Sequence, residues 1–159
     1  MFNKYFMAGK KFIPAIAVVA LIIGGIAFYS AQTTKNCVNL VIDYGVLDPN
    51  SEPYEKCLAT DNEITALELM KSANFKLEGT DKYGDAVVCR VNGLPDKSVE
   101  PCETMPPEKA FWAVIVKKKP LIPFTAEWGW AQKGINETFV SPGDSLGLVF
   151  STNGDLKWP

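Results

Sequence analysis

Histidine is absent from this sequence, and arginine occurs only once, as Arg90. Without histidine, the chain lacks the commonest general base and the commonest transition-metal ligand of proteins. A nucleophilic serine or cysteine would have no histidine beside it to accept its proton, and the chain has no G-x-S-x-G motif. These absences exclude the familiar serine and cysteine hydrolases. We expect no enzymatic activity and no metal site.

Charge is also absent from a long stretch near the start of the chain. Residues 12–29 read FIPAIAVVALIIGGIAFY and contain no charged side chain. As a helix, this run would be roughly 27 Å long, which is close to the ~30 Å hydrocarbon core of a bilayer. Lys4, Lys10 and Lys11 precede it, and the first acidic residue is Asp43. The pattern predicts one membrane-spanning helix.

The lysines before this helix predict its orientation, because cytoplasmic flanks of membrane helices carry the excess of basic residues. We therefore expect a cytoplasmic N-terminus over residues 1–11 and an uncleaved signal-anchor over 12–31. A short tether at 32–36 would lead to an extracytoplasmic domain at 37–159. The alternative is a cleaved signal peptide and a secreted protein, but a cleavage after Ala31 would place a bulky tyrosine at the −3 position.

The domain after the predicted anchor is acidic, with 18 acidic and 13 basic residues and a net charge of −5. It has no basic stripe of the kind that nucleic-acid binding requires. Nucleic acid is therefore excluded as a partner.

All four cysteines lie on the predicted outer side of the membrane: Cys37, Cys57, Cys89 and Cys102. An even number of cysteines in an oxidising compartment predicts two disulfides. Three pairings are possible, and we favour Cys37–Cys57 with Cys89–Cys102 because each closes a short loop. A zinc site is the alternative, but the sequence has no C-x-x-C pair.

Alternating apolar residues predict a first strand at residues 37–44, with Val38, Leu40, Ile42 and Tyr44 facing the core. A helix is expected from an N-cap at Thr60, with Glu63 completing a capping box, to about Ala73. The other segments follow in order: a strand at 55–59, an irregular link at 75–82, and strands at 85–92, 110–116, 128–130, 137–140 and 145–151. The strand at 110–116 is nearly all apolar, so we expect it to be central in its sheet. The fold class is α+β, with a β-grasp-like mixed sheet and one packed helix.

Four segments carry a resemblance to a known family: YGDAVVCRVNGLPD at 83–96, FWAVIVKKK at 111–119, WGWAQKGINETFV at 128–140 and SPGDSLGLVFS at 141–151. The chain resembles a bacterial exported family of unknown function that is related to the C-terminal domain of transcobalamin and intrinsic factor. The resemblance implies a β-grasp domain that binds a small ligand, with a corrinoid such as cobalamin as the family's example. It implies no catalytic residues.

Aromatic and amide side chains are the candidate ligand-binding groups. Trp112, Trp128 and Trp130, together with Phe139, would suit a stacking floor for a planar ligand, although aromatics also fill β-sheet cores. The polar candidates are Asn92, Gln132 and Asn136, and the two asparagines also suit turns. Asn136 begins an N-x-T sequence that is a glycosylation signal in some hosts.

Two further groups of charged residues are candidates for a role. Asp85, Glu127, Glu137 and Asp144 are the acids near the predicted strands, but their spacing does not indicate a catalytic pair. Three consecutive lysines, 117–119, end a strand and suit either a solvated edge or contact with anionic lipid.

The sequence thus predicts a membrane-anchored extracytoplasmic domain that binds a small molecule or a surface partner without catalysis. The alternative is a structural or accessory module that binds other proteins at the cell surface.

Overall fold

The computed structural model describes residues 36–107, 109–120, 126–152, 156 and 158–159. Within these ranges, no helix is long and apolar enough to cross a bilayer. The predicted cytoplasmic segment, the predicted anchor and most of the tether lie outside the described residues.

The described residues form a mixed α+β fold with nine strands, one α-helix and one short 3-10 helix. In chain order the elements are β1 (Cys37–Asp43), the 3-10 helix (Gly45–Leu47), β2 (Tyr54–Ala59), β3 (Ile64–Thr65), α1 (Ala66–Ser72), β4 (Leu77–Glu78), β5 (Arg90–Val91), β6 (Ala110–Lys117), β7 (Gly129–Trp130), β8 (Phe139–Val140) and β9 (Ser145–Thr152).

Five strands form the main sheet in the order β2-β1-β9-β6-β7. β1 pairs in parallel with β9, so that Val41 lies opposite Gly147. The other neighbours, β1 with β2, β9 with β6, and β6 with β7, are antiparallel. Two pairs of short strands, β3 with β8 and β4 with β5, flank this sheet.

The sheet has a core face and an open face, because successive side chains of a strand point to opposite sides. Val38, Leu40 and Ile42 of β1 are fully buried on the core face, where α1 packs. Tyr44 packs against the same core, as the alternation in the sequence predicts. We call the opposite side the open face; its small cluster of buried residues contains Ala113, Ile115 and Val149.

α1 begins five residues later than the sequence pattern predicts. Its N-cap is Thr65, whose hydroxyl oxygen accepts the N–H of Glu68 while the Glu68 carboxylate accepts the N–H of Thr65. The chain contains T-x-x-E twice, and the prediction rested on the first, at Thr60. Thr65 and the residue before it form β3 and pair with β8, which prevents an earlier helix start. The helix ends as expected, with Asn74 in the left-handed region.

Two strand predictions also need correction. The strand expected at 85–92 is reduced to Arg90–Val91, and its partner Leu77–Glu78 lies in the link predicted to be irregular. β9, not β6, occupies the centre of the main sheet, because β9 has both β1 and β6 beside it. β6 has only the two-residue β7 on its other side.

The cysteines lie in two pairs at disulfide distance. Cys37 and Cys57 join β1 to β2 with 5.5 Å between their Cα atoms. Cys89 and Cys102 join the start of β5 to the following loop with a Cα separation of 5.8 Å. These distances are typical of disulfides, so they support the disulfide bonding predicted from the even cysteine count.

Candidate functional site

The open face of the sheet carries a group of aromatic side chains that we call the aromatic surface: Phe111, Trp130 and Trp158. The Trp130 indole lies nearly parallel to the Phe111 ring, with centroids 6.1 Å apart and planes inclined by 30°. On its other side, Trp130 meets Trp158 edge to face, also at 6.1 Å. Trp130 is 44% exposed, although its neighbours are aromatic.

The local sequence explains why Trp130 lies on this side of the sheet. β7 pairs with β6 so that Trp130 lies opposite Ile115, whose side chain belongs to the open face. Trp128, two residues earlier, packs on the same small cluster and is half-buried. The W-x-W alternation therefore places both indoles on the open face, with Trp128 beneath and Trp130 outside.

A glycine in the central strand makes room for this packing. A Cβ atom on Gly147 would lie 2.6 Å from Cγ1 of Ile115 and 3.4 Å from Cζ3 of Trp128. Because Gly147 has no side chain, Ile115 and Trp128 can lie directly on the β9 backbone. The aromatic surface is therefore supported by a close approach that only glycine permits.

Trp112 does not join this group, because it lies on the core face. It is 4% exposed, and its indole Nε1–H donates a 3.0 Å hydrogen bond to the Leu94 carbonyl. Its ring meets Tyr44 and Phe150 edge to face, at 5.3 and 5.4 Å. The expected stacking floor is therefore divided between the two sides of the sheet. Trp112 is a core residue.

Asn92 is also separate from the aromatic surface. Its side chain donates to the Tyr44 hydroxyl oxygen at 2.9 Å and accepts the N–H of Lys76 at 3.0 Å. Its backbone lies in the left-handed region, with φ of 52°. Burial raises the pKa of Tyr44, the Asn92 hydrogen bond lowers it, and the charge of Asp48 raises it, with a net increase. These contacts give Asn92 a turn-stabilising role.

Gln132 and Asn136 are exposed side chains that follow β7. Gln132 donates from Nε2 to the Trp130 carbonyl at 3.0 Å, which fixes the chain next to the aromatic surface. Thr138 is buried, and its hydroxyl group donates to the carbonyls of Lys133 and Gly134. The N-x-T sequence thus combines an exposed asparagine with a threonine that is already hydrogen-bonded inside the fold.

The sequence reasoning missed two members of the aromatic surface. Period two places Phe111 on the same side of β6 as Ala113 and Ile115, but only the pairing of Ile115 with Trp130 shows that this side carries the tryptophan. Trp158 has no comparable signal. Its contact with Trp130 depends on where the chain runs after β9, and no local pattern specifies this path.

A shallow depression lies between α1 and the β4–β5 region, lined by Leu67, Leu77, Val88 and Ile135, with Glu78 and Asp85 at its polar side. Its empty space is about 160 Å³, and this volume includes open solvent. Ligand pockets usually enclose roughly 300–1,000 Å³. This depression is therefore too small for a corrinoid.

Two of the four candidate acids, Asp144 and Glu137, make contacts with basic groups in this structure. Asp144 is buried, and its carboxylate accepts hydrogen bonds from Lys118, Lys119 and Ser141. Burial acts to raise the pKa of Asp144. These hydrogen bonds and the Lys118 charge lower the pKa by more than burial raises it, so the pKa of Asp144 lies below its ordinary value. Glu137 lies 3.9 Å from Lys133 in an exposed ion pair. Asp144 is therefore an ionised structural group.

Arg90 and the second disulfide form a structural cluster. The Arg90 guanidinium is buried and donates to the carbonyls of Pro95 and Glu100 and to the Glu78 carboxylate. The sulfurs of Cys89 and Cys102 lie close to the Glu100 carboxylate, a set of atom types that can bind metal. However, the sulfurs are joined to each other, and Glu100 Oε1 accepts the N–H of Cys102. The cluster holds the loop after β5.

Comparison with known proteins gave no match to any protein family, to any curated protein or to any solved structure.

Proposed function

We propose that this protein is a membrane-anchored, extracytoplasmic binding domain without catalytic activity, and that its aromatic surface binds a partner protein at the cell surface. The observation that carries the proposal is the exposed Trp130, placed between Phe111 and Trp158 on the face of the sheet opposite α1. Tryptophan is among the residues most enriched at the energetic centre of protein interfaces.

The proposed compartment rests on two features. The cysteines lie in two pairs at disulfide distance, and disulfides persist in oxidising compartments. The uncharged run at residues 12–29 has the length and the basic flank of a signal-anchor. Together they favour a cell-membrane location with the domain outside.

We infer a β-grasp topology for the domain. Its support is the strand order β2-β1-β9-β6-β7, in which the first and last strands are parallel neighbours and α1 follows the β1–β2 hairpin. A β-grasp fold is also what the resemblance to the C-terminal domain of transcobalamin and intrinsic factor implies. A shared topology supports a shared fold, but it does not imply that this domain binds the same ligand.

A protein partner fits the aromatic surface better than a small molecule does. Small-molecule sites are concave and enclose most of their ligand, whereas Trp130 and Trp158 stand on the open side of a sheet. The rings of Trp130 and Trp158 are inclined by 75°, so together they form an uneven apolar surface and not one flat floor. Inclined rings of this kind suit irregular apolar side chains of a protein.

The test compares the full-length chain, solubilised from membranes of its own host, with two single variants. Trp130→Ala removes the centre of the aromatic surface. Tyr83→Ala is the matched control, because Tyr83 is also an aromatic residue with 44% exposure. Co-purified proteins are quantified by mass spectrometry, and thermal melting confirms that both variants are folded.

We expect one partner to be enriched with the wild type and with Tyr83→Ala, and to fall at least about tenfold with Trp130→Ala, as for an interface hot spot. Equal enrichment with all three proteins would overturn the proposal. A small molecule bound to the wild type and lost from Trp130→Ala, including an added corrinoid, would replace the protein partner with the small-molecule alternative.

A further inference from the structure

The end of the sheet at which the domain begins carries a cluster of lysines. β1 starts at Cys37, whose carbonyl accepts the N–H of Gly143 at 2.9 Å. β6 ends at Lys117, which lies opposite Ser145 at the start of β9. Lys118 and Lys119 follow at once and are exposed. The three lysines therefore lie at the same end of the domain as its first residues.

Asp144 fixes this lysine cluster in place. Its carboxylate accepts the Lys118 ammonium group at 2.8 Å and the backbone N–H of Lys119 at 2.8 Å. Lys118 neutralises this carboxylate, whereas no ion pair among the described residues involves Lys117 or Lys119. The cluster thus presents positive charge on a domain that is acidic as a whole.

An exposed aromatic residue lies beside the lysines. The Lys118 ammonium group also donates to the Phe139 carbonyl at 2.7 Å, and Phe139 is 50% exposed. Lysines next to an exposed aromatic ring are typical of protein surfaces that contact the headgroup region of a bilayer. Asp61 and Glu63 lie at the same end, on the connection that leaves β2. The Glu63 carboxylate accepts the Ser141 hydroxyl at 3.2 Å, and β3, which follows it, pairs with β8 at Phe139, so this acid borders the lysine cluster on the β8 side.

We infer that this end of the domain, formed by Lys117, Lys118, Lys119 and Phe139, rests on anionic phospholipid headgroups. The inference depends on the proposed membrane anchor, because a tether at residues 32–36 would begin the domain close to the bilayer surface. The headgroups would supply the phosphate charge that the lysines attract, while Phe139 would enter the interface.

Photo-crosslinking of the full-length chain in nanodiscs tests this orientation. A benzoylphenylalanine residue replaces Phe139 in one variant and Val46 in a matched control. Val46 is 62% exposed and lies in the 3-10 helix after β1, at the opposite end of the sheet. The nanodiscs contain phosphatidylcholine with about a quarter phosphatidylglycerol, so that the bilayer surface is anionic.

We expect lipid adducts at position 139 and not at position 46. The double variant Lys117→Gln/Lys119→Gln should lower the yield of lipid adducts at position 139. Each lysine near an anionic bilayer strengthens the contact of the domain with the bilayer roughly fivefold. The double variant Lys76→Gln/Lys97→Gln, which removes two exposed lysines elsewhere, should leave the yield unchanged.

Carbonate extraction of host-cell membranes that contain the full-length chain tests the anchor separately from the orientation. If the chain stays in the membrane but positions 139 and 46 give equal lipid yields, the anchor stands and the orientation is wrong. Release of the chain by carbonate would overturn the proposed anchor, and the inferred contact with it.

Discussion

The carboxylate of Asp144 lies 2.8 Å from the ammonium group of Lys118, and the same buried residue joins three segments of the domain. It accepts the N–H of Lys119 after β6 and the N–H of Ser141 in the turn before β9. The backbone carbonyl of Asp144 accepts the N–H of Asn39 in β1. One acidic residue thus holds three chain segments together at one end of the sheet.

Replacing Asp144 by asparagine should lower the free energy of unfolding by about 1–3 kcal/mol, because an amide has only one oxygen to accept these donors. Urea denaturation of the variant and the wild type measures this loss. Asp85→Asn is the control, since Asp85 is exposed. An equal stability of Asp144→Asn and the wild type would show that this network contributes nothing.

The same residue should make the domain sensitive to acid. Burial acts to raise the pKa of Asp144, but its hydrogen bonds and the Lys118 charge keep the net pKa below the ordinary 3.8. A carboxylate whose pKa is lower in the folded than in the unfolded state stabilises the fold at pH values above its unfolded-state pKa. This stabilisation is lost as the pH falls through the folded-state pKa. The stability difference between wild type and Asp144→Asn should therefore shrink below about pH 4. A difference that is constant down to about pH 2 would contradict this assignment.

Removing either disulfide should destabilise the domain. Cys37→Ser and Cys57→Ser should each lower the free energy of unfolding by about 2–4 kcal/mol, since the bond restricts the unfolded chain. The Cys89–Cys102 pair closes a loop of similar length and should give a similar loss. Melting temperatures of the variants measure this, and mass spectrometry of unreduced peptides identifies the pairs. An unchanged melting temperature for Cys57→Ser would exclude its bond to Cys37.

Gly147 should tolerate no side chain. Gly147→Ala places a methyl group 2.6 Å from Ile115 Cγ1, an overpacking that costs about 1–3 kcal/mol. It should also shift the fluorescence of Trp128, which lies over the same position. Gly129→Ala is the control, because its added methyl group would meet no atom within 4 Å. Equal melting temperatures for the two variants would contradict the close approach at β9.

The helix N-cap can be assigned by two threonine substitutions. Thr65→Ala should lower the stability by about 1 kcal/mol, because the N–H of Glu68 loses its acceptor. Thr60→Ala should change it by less than about 0.5 kcal/mol, since the exposed Thr60 hydroxyl donates only to the Asn62 carbonyl. A larger loss at Thr60 than at Thr65 would restore the earlier helix start.

The parts of the fold that local periodicity controls were predictable from the sequence. Val38, Leu40 and Ile42 alternate with less apolar residues, and this period identifies both the strand and its core face. The helix start was wrong because T-x-x-E occurs at Thr60 and again at Thr65. Only pairing of Thr65 with Phe139, which is distant in sequence, decides between them.

The candidate site was only partly predictable for the same reason. Trp128 and Trp130 share a side because they are two residues apart in extended chain at the start of β7, and the W-x-W spacing is visible in the sequence. Phe111 and Trp112 are adjacent in a strand that is apolar on both faces, so burial alone does not reveal which of them meets Trp130. The register of β6 with β7 and β9 assigns Phe111 to the open face.

The most direct test of the account is photo-crosslinking at position 130 of the full-length chain in living cells of its host, with position 83 as the control. The account predicts a discrete adduct between a benzoylphenylalanine at position 130 and one extracytoplasmic protein, and no such adduct from position 83. The same adducts from both positions, or adducts of position 130 with cytoplasmic proteins, would contradict an extracytoplasmic domain that binds through its aromatic surface.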